Sequence, residues 1–196
     1  MVRGAHAYYH YGQDGSEDSG WGCAYRSLQT LWSWFLLQGY TSLPPPAHRA
    51  AQAQLVALGD KPADFAGSRR WIGAIELGYV LDAGLGVTCK ILTARSGADV
   101  PGLLGDLAQH FATQGTPVMV GGGVLAYTLL GVGKTEAGEA LFCILDPHYV
   151  GPDEPAKIRN KWVSWKMAGD RAAAGGDLFV ANAHYNLLCP QRPKGV

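Results

Sequence analysis

The 196-residue chain has no long hydrophobic run, no excess of charge of either sign and no paired-cysteine pattern, and each absence excludes a class of protein. Its longest apolar stretches, such as Leu141-Phe142-Cys143-Ile144-Leu145, fall far short of the roughly 20 residues that span a bilayer, so no integral membrane segment is expected. The N-terminus lacks the charged-then-apolar pattern of a secretory signal. Sixteen Lys and Arg balance sixteen Asp and Glu, and no segment gathers the basic residues into a stripe. That argues against nucleic acid as a partner, because such binding rests on neutralising phosphates.

Cys23, Cys89, Cys143 and Cys189 are widely spaced and include no C-x-x-C pair, so they read as reduced thiols rather than a disulfide framework or zinc knuckle. A cytoplasmic protein is expected, with the nucleus as a further location. Metal-ligand spacing such as H-E-x-x-H is missing around His6, His10, His48, His110 and His184, and neither a metal nor an organic cofactor is expected. Without internal repeats or a visible boundary, residues 1–196 read as one domain, monomeric, whose 47% hydrophobic content suffices for a sizeable core.

What is present is a change of texture along the chain. From Ala24 to Gln38, Tyr25, Leu28, Leu31, Trp32, Phe35 and Leu36 recur at three- and four-residue spacing, predicting a helix with one buried face that begins at or beside Cys23 and stops at Gly39. Helices are also expected from Ala47 to Leu58, from a Ser68 cap through Trp71, Ile72, Ile75 and Leu81 to about Gly84, and from Asp99 toward Phe111. Val87 to Leu92, Pro117 to Val120, Val124 to Leu130 and Ala140 to Leu145 read as strands, with Trp162 to Lys166 and His184 to Leu188 as two more. Helices first and strands later indicate a segregated α+β fold, N-terminal helices packed on a mainly antiparallel sheet.

Cys23 is the leading candidate for chemistry. A thiol attacks as its thiolate, and a helix N-terminus lowers the thiol pKa because unpaired backbone N–H groups favour negative charge. The bland alternative is a small buried hydrophobe, the usual fate of a free cysteine. Asp146-Pro147-His148 supplies what Cys23 needs: on an extended chain, residues two apart share a side, so the carboxylate can orient an imidazole toward the thiol. Against this, the same tripeptide can be a turn in which Asp146 bonds local backbone. Tyr11, twelve residues before Cys23 in the Gly-rich stretch Tyr11-Gly12-Gln13-Asp14-Gly15, can donate to an oxyanion or simply pack beside Tyr8 and Tyr9.

Other patterns carry less. Gly131-Val132-Gly133-Lys134-Thr135 ends like a phosphate-binding loop, but Thr128 stands where that loop needs glycine and no helix follows. Asp18-Ser19-Gly20 resembles a serine-protease nucleophile segment without the double barrel to hold it, and Gly-x-Ser-x-Gly is absent. His184, between Asn182 and Asn186, is a rival base, weaker because asparagine does not stabilise an imidazolium.

Three segments together, Tyr11 to Gly15, Gly20-Trp21-Gly22-Cys23-Ala24-Tyr25-Arg26-Ser27-Leu28 and Asp146-Pro147-His148-Tyr149, closely resemble the proteases specific for ubiquitin-fold modifier 1. Gly67-Ser68-Arg69-Arg70-Trp71-Ile72-Gly73, Pro117-Val118-Met119-Val120-Gly121-Gly122 and Tyr185-Asn186-Leu187 extend the likeness over nearly the whole chain. The resemblance implies a papain-like cysteine protease of the short, catalytic-domain-only type. Cys23 would be its nucleophile, Asp146 and His148 its orienter and base, and Tyr11 part of its oxyanion hole. It implies ubiquitin-fold modifier 1, as precursor and as conjugate, for the partner. Two rival readings are a related protease for ubiquitin chains or a lipid-conjugated modifier, and a non-catalytic modifier-binding scaffold.

Overall fold

A computed structural model of the chain describes residues 1–193; the last three residues of the expected domain lie outside the described residues. Ten principal elements follow one another: α1 (Cys23–Leu37), α2 (His48–Ala57), α3 (Ala74–Leu85), β1 (Cys89–Ala94), α4 (Leu104–Thr113), β2 (Val118–Gly122), β3 (Leu125–Lys134), β4 (Ala140–Leu145), β5 (Val163–Met167) and β6 (Tyr185–Pro190). The strands form one six-stranded antiparallel sheet in the order β1-β6-β2-β3-β4-β5. The last strand thus inserts between the first two. α1, α2 and α3 pack on one face around Leu31, Phe35, Leu77 and Leu81, while α4 and residues 172–179 cover the other around Phe111, Tyr127 and Phe142.

The expected α+β class is the class observed, but α1 differs from its expected one-sided burial. Every residue from Ala24 to Phe35 is buried. The polar face that should meet water is covered by the N-terminal segment and the loop before α2. Thr30 Oγ1 accepts the Tyr9 N–H, Ser33 Oγ accepts the Ala7 N–H and Gln29 donates to the Pro46 carbonyl. α1 is therefore a central helix, and Cys23 begins the most enclosed element of the molecule.

α3 also departs from expectation. Ser68 does not cap it: its hydroxyl accepts the Arg70 N–H instead, and the helix starts at Ala74, where Glu76 Oε2 accepts the Gly73 N–H at 2.9 Å. Residues 69–73 are left free of the helix. The stop is Gly86, in the left-handed region at φ 64°, not Gly84. Gly84 lies inside the helix because a Cβ there would come within 2.4 Å of the Trp32 ring. Gly97–Leu103 forms a 3-10 turn that holds Pro101, so α4 begins at Leu104, after the expected Asp99. β1 lies two residues further along than expected at both ends, β6 starts one residue later and ends two residues later, and β3 continues through the false phosphate-loop pattern to Lys134 before turning at Thr135–Gly138.

Candidate active site

The segment 11–22 is folded onto the start of α1 by its glycines and by one buried aspartate. Gly12 and Gly20 take positive φ values of 72° and 82°, which costs glycine nothing. The Asp18 carbonyl accepts the N–H groups of Trp21 and Gly22, and Gly22 must be glycine because a Cβ would lie 2.4 Å from Asp18 Oδ2. Asp18 itself is 0% exposed. Its carboxylate takes the Gly12 N–H at 2.8 Å, Arg26 Nε at 2.6 Å and His48 Nε2 at 2.9 Å. Arg26, also 0% exposed, donates onward to Gln29 and the Gln13 carbonyl. The site is thus clamped from beneath.

Cys23 is the first residue of α1 and half-buried. Arg26 is the first residue of the helix whose N–H reaches an intrahelical carbonyl, that of Gly22. The N–H groups of Cys23, Ala24 and Tyr25 precede that first bond and carry the positive end of the helix. On the far side of the groove, β4 ends at Leu145 and the chain turns. Asp146 Oδ1 accepts the His148 backbone N–H at 3.0 Å and pairs with His148 Nδ1 at 2.5 Å. Both sequence readings of this tripeptide therefore hold at once. The local turn, not strand alternation as expected, is what presents the imidazole.

Tyr11 reaches the same place through its backbone. Its N–H donates to the Pro147 carbonyl at 3.0 Å, it bridges Val150 in parallel register, and its carbonyl lies 2.8 Å from His10 Nδ1. Its ring stands edge-on to His148, with centroids 5.2 Å apart at 88°. Burial and the neighbouring Cys23 raise the pKa of its hydroxyl. The structure thus brings Tyr11, Cys23, Asp146 and His148 together. His184 is exposed at the foot of β6, and the imidazole at Cys23 belongs to His148.

Electrostatics single out Cys23 among the four free cysteines. Burial raises the thiols of Cys89 and Cys189 to about 12 and that of Cys143 above its ordinary value. Burial pushes Cys23 the same way, but His148, the Tyr11 hydroxyl and the Ala126 backbone outweigh it and lower its pKa. For His148, burial opposes the charged ring. The Asp146 carboxylate and Cys23 nonetheless raise it to about 9. Opposite shifts on two neighbours describe a thiolate–imidazolium pair.

A groove runs to Cys23 between Trp21 and residues 71–74 on one side and residues 121–126 on the other, with Met119 and Asn186 at its floor. Trp71 and Val124, 54% and 64% exposed, stand along its rim. Three consecutive glycines, 121 to 123, contribute only backbone to one wall, and at Gly122 a Cβ would lie 2.3 Å from the Tyr185 ring. Among the described residues, no group of three or more His, Cys, Asp or Glu is placed to hold a metal ion, and no helix is long and apolar enough to cross a membrane.

The residues missed from sequence are Asp18, Arg26 and His48. Asp18 drew notice only as part of a misleading tripeptide, and His48 only as one of the histidines without metal-ligand spacing. The available signal was Arg26 itself, the single charge in α1, eight residues after an aspartate.

A cysteine at the head of a central helix, facing a histidine–aspartate pair on a sheet, defines the papain-like cysteine protease fold. The family model for peptidase family C78 matches residues 1–188, and the chain belongs to that family. It is 55% identical over 198 aligned residues to the probable Ufm1-specific protease of Oryza sativa subsp. japonica, covering 100% of this chain and 31% of that protein. Ufm1-specific protease 2 of Homo sapiens is 50% identical over 98% of this chain and 40% of its own length. The crystal structure of UfSP from C. elegans superposes with a TM-score of 0.87 at 43% identity, over 100% of this chain and 34% of that one. The chain thus spans about a third to two fifths of the length of these relatives.

Proposed function

We propose that this chain is a thiol protease that cleaves after the C-terminal glycine of ubiquitin-fold modifier 1, maturing the precursor or releasing the modifier from conjugated proteins. The observation that carries the chemistry is the coupling of Cys23, at the head of α1, to a His148 ring held by Asp146 at 2.5 Å. The choice of modifier rests on the relatives, at 50% identity or more over essentially the whole chain. A groove walled by glycines suits an extended tail that ends in glycine. Four unbridged thiols suit a reducing compartment such as the cytoplasm.

The Cys23 thiolate attacks the glycine carbonyl carbon, forming a C–S bond and placing negative charge on the carbonyl oxygen. Tyr11 and the free N–H groups at the head of α1 stabilise that oxyanion. As it collapses, the C–N bond breaks and His148 gives its proton to the departing amine. A water, deprotonated by His148, then attacks the thioester, releasing the modifier acid and restoring the thiol. Asp146 keeps the ring oriented throughout.

A panel of ubiquitin-like proteins ending in a cysteine-reactive electrophile tests the assignment. Ufm1 should label the wild-type protein and not Cys23→Ala. Labelling by ubiquitin or another modifier alone would overturn the specificity, and labelling of neither Ufm1 nor any other member would overturn the reaction.

A further inference from the structure

Behind the Cys23–His148 pair lies a buried tyrosine that the chemistry above does not use. Tyr127, on β3, is 1% exposed, and its hydroxyl has no hydrogen-bond partner among the described residues. Its ring meets His148 at 5.6 Å and 63°, so the imidazole is held between Tyr11 and Tyr127. The β3–β4 ladder pairs Thr128 with Leu145, and one step further along antiparallel strands sets Tyr127 opposite Asp146. Asp146 is also 1% exposed. Its Oδ1 receives both bonds from His148, whereas its Oδ2 is buried without a partner.

An unpaired buried donor and an unpaired buried acceptor at neighbouring cross-strand positions are each unfavourable, and each relieves the other if joined. The other unpartnered hydroxyls, Ser27 and Thr128, are placed differently. Thr128 alternates with Tyr127 and shares the α1 side of the sheet with Ala126, and Ser27 is on α1 itself. We propose that Tyr127 is a positioning residue: through one bridging water its hydroxyl supplies the hydrogen bond that Asp146 Oδ2 lacks, fixing the carboxylate that orients His148.

The titratable groups around this pair come from four elements. Tyr8, on the N-terminal segment, donates to the Asp146 carbonyl and not to its carboxylate. Cys23 faces it from α1, and His148 and Tyr149 follow it in the turn. Tyr185, on β6, faces Tyr127 but accepts the Val180 N–H. A carboxylate that loses a donor is held less firmly, and a displaced Asp146 orients and stabilises less well the imidazolium that keeps Cys23 ionised. Removing the Tyr127 hydroxyl should therefore move the onset of Cys23 reactivity to higher pH.

The inference rests on Cys23 being the nucleophile, and a substrate-free measurement separates the two. Alkylation of Cys23 by iodoacetamide is followed from about pH 4 to about pH 8, with the modified cysteine located by mass spectrometry. In Tyr127→Phe, which keeps the ring, the acid limb should rise by about half a pH unit, about threefold slower alkylation below the midpoint. An unmoved limb would overturn the role of Tyr127, because packing alone survives in phenylalanine. Thermal melts identify a misfolded variant, and a cycle with Asp146→Asn decides that case: the Tyr127→Phe effect should vanish when Asp146 is already an amide, and additive shifts overturn the proposal. Wild-type Cys23 that reacts no faster than an ordinary thiol at low pH would overturn the nucleophile itself.

Discussion

Two buried histidine–aspartate pairs sit on either side of the α1 N-terminus, and they are finished differently. In the His48–Asp18 pair the carboxylate is saturated, by Arg26, the Gly12 N–H and the imidazole, and His48 stacks on Tyr25 with centroids 4.9 Å apart. In the His148–Asp146 pair neither Nε2 nor Oδ2 bonds directly to another described residue, and Oδ2 is the position the proposed Tyr127 bridge would fill. The first pair has nothing left to give. The second keeps one nitrogen free for the neighbouring Cys23 sulfur. Saturation makes a scaffold, and incompleteness makes a site.

The largest expected effects separate the pairs outright. His148→Asn, whose amide can still donate to the buried Asp146, should lower kcat for Ufm1-substrate cleavage by about 10²–10⁴-fold, the usual worth of a positioned acid–base group, while the urea midpoint falls less than in Asp18→Ala. Asp18→Ala should do the reverse first. It takes from the buried Arg26 its closest carboxylate, leaving only the half-exposed Asp14 at 3.3 Å, and should cost roughly 3–5 kcal/mol, read as a lowered denaturation midpoint at unchanged slope. Activity should fall with it only as Gly12 and Tyr11 lose their anchor. Equal stability losses in the two variants would erase the distinction between them.

The pairs should also part along the pH axis. Asp18 is buried, which alone would raise its pKa, but His48, Arg26 and the Gly12 N–H hold it down at about 2. A depressed carboxylate stabilises the fold above its ordinary 3.8 and loses that contribution as pH falls through about 2. His148 runs the other way: raised from 6.5 to about 9, its contribution is complete below 6.5 and is lost as pH rises through about 9. The rate should follow the second group, with kcat/KM declining near pH 9 as the imidazolium loses the proton meant for the leaving amine. Asp146→Asn should move that alkaline limb downward, and Asp18→Asn should leave it in place.

Much of this was legible in the sequence wherever it was local. The apolar spacing from Tyr25 to Leu36 predicted α1, the run Ala140 to Leu145 predicted β4 to the residue, and Gly39 and Gly59 stop helices as expected. Tyr11, Cys23, Asp146 and His148 stand out in the sequence, and the fold brings them together at the head of α1. What escaped was non-local. Periodicity cannot show that the polar face of α1 meets another segment, so its all-round burial and the role of Arg26 stayed hidden. No local pattern announces that β6 inserts between β1 and β2, nor that Asp18, eight residues before Arg26, is the anchor for Gly12 and His48.

A third histidine–aspartate contact supplies the smallest effect and the sharpest control. His10 is 1% exposed, with Nδ1 on the Tyr11 carbonyl and Nε2 2.8 Å from Asp153 Oδ1. The Asp153 side chain, however, is 68% exposed, so water can take over whatever it accepts. If burial of the aspartate decides the cost of losing it, Asp153→Asn should change stability by only about 0–1 kcal/mol and cleavage by about twofold at most, despite lying one residue from Tyr11 through His10. Chemical denaturation of Asp153→Asn beside Asp18→Asn makes the comparison direct. Similar losses would mean that the His–Asp contact itself carries the energy wherever it sits, and the contrast between a saturated scaffold and an open site would have to rest on Arg26 alone.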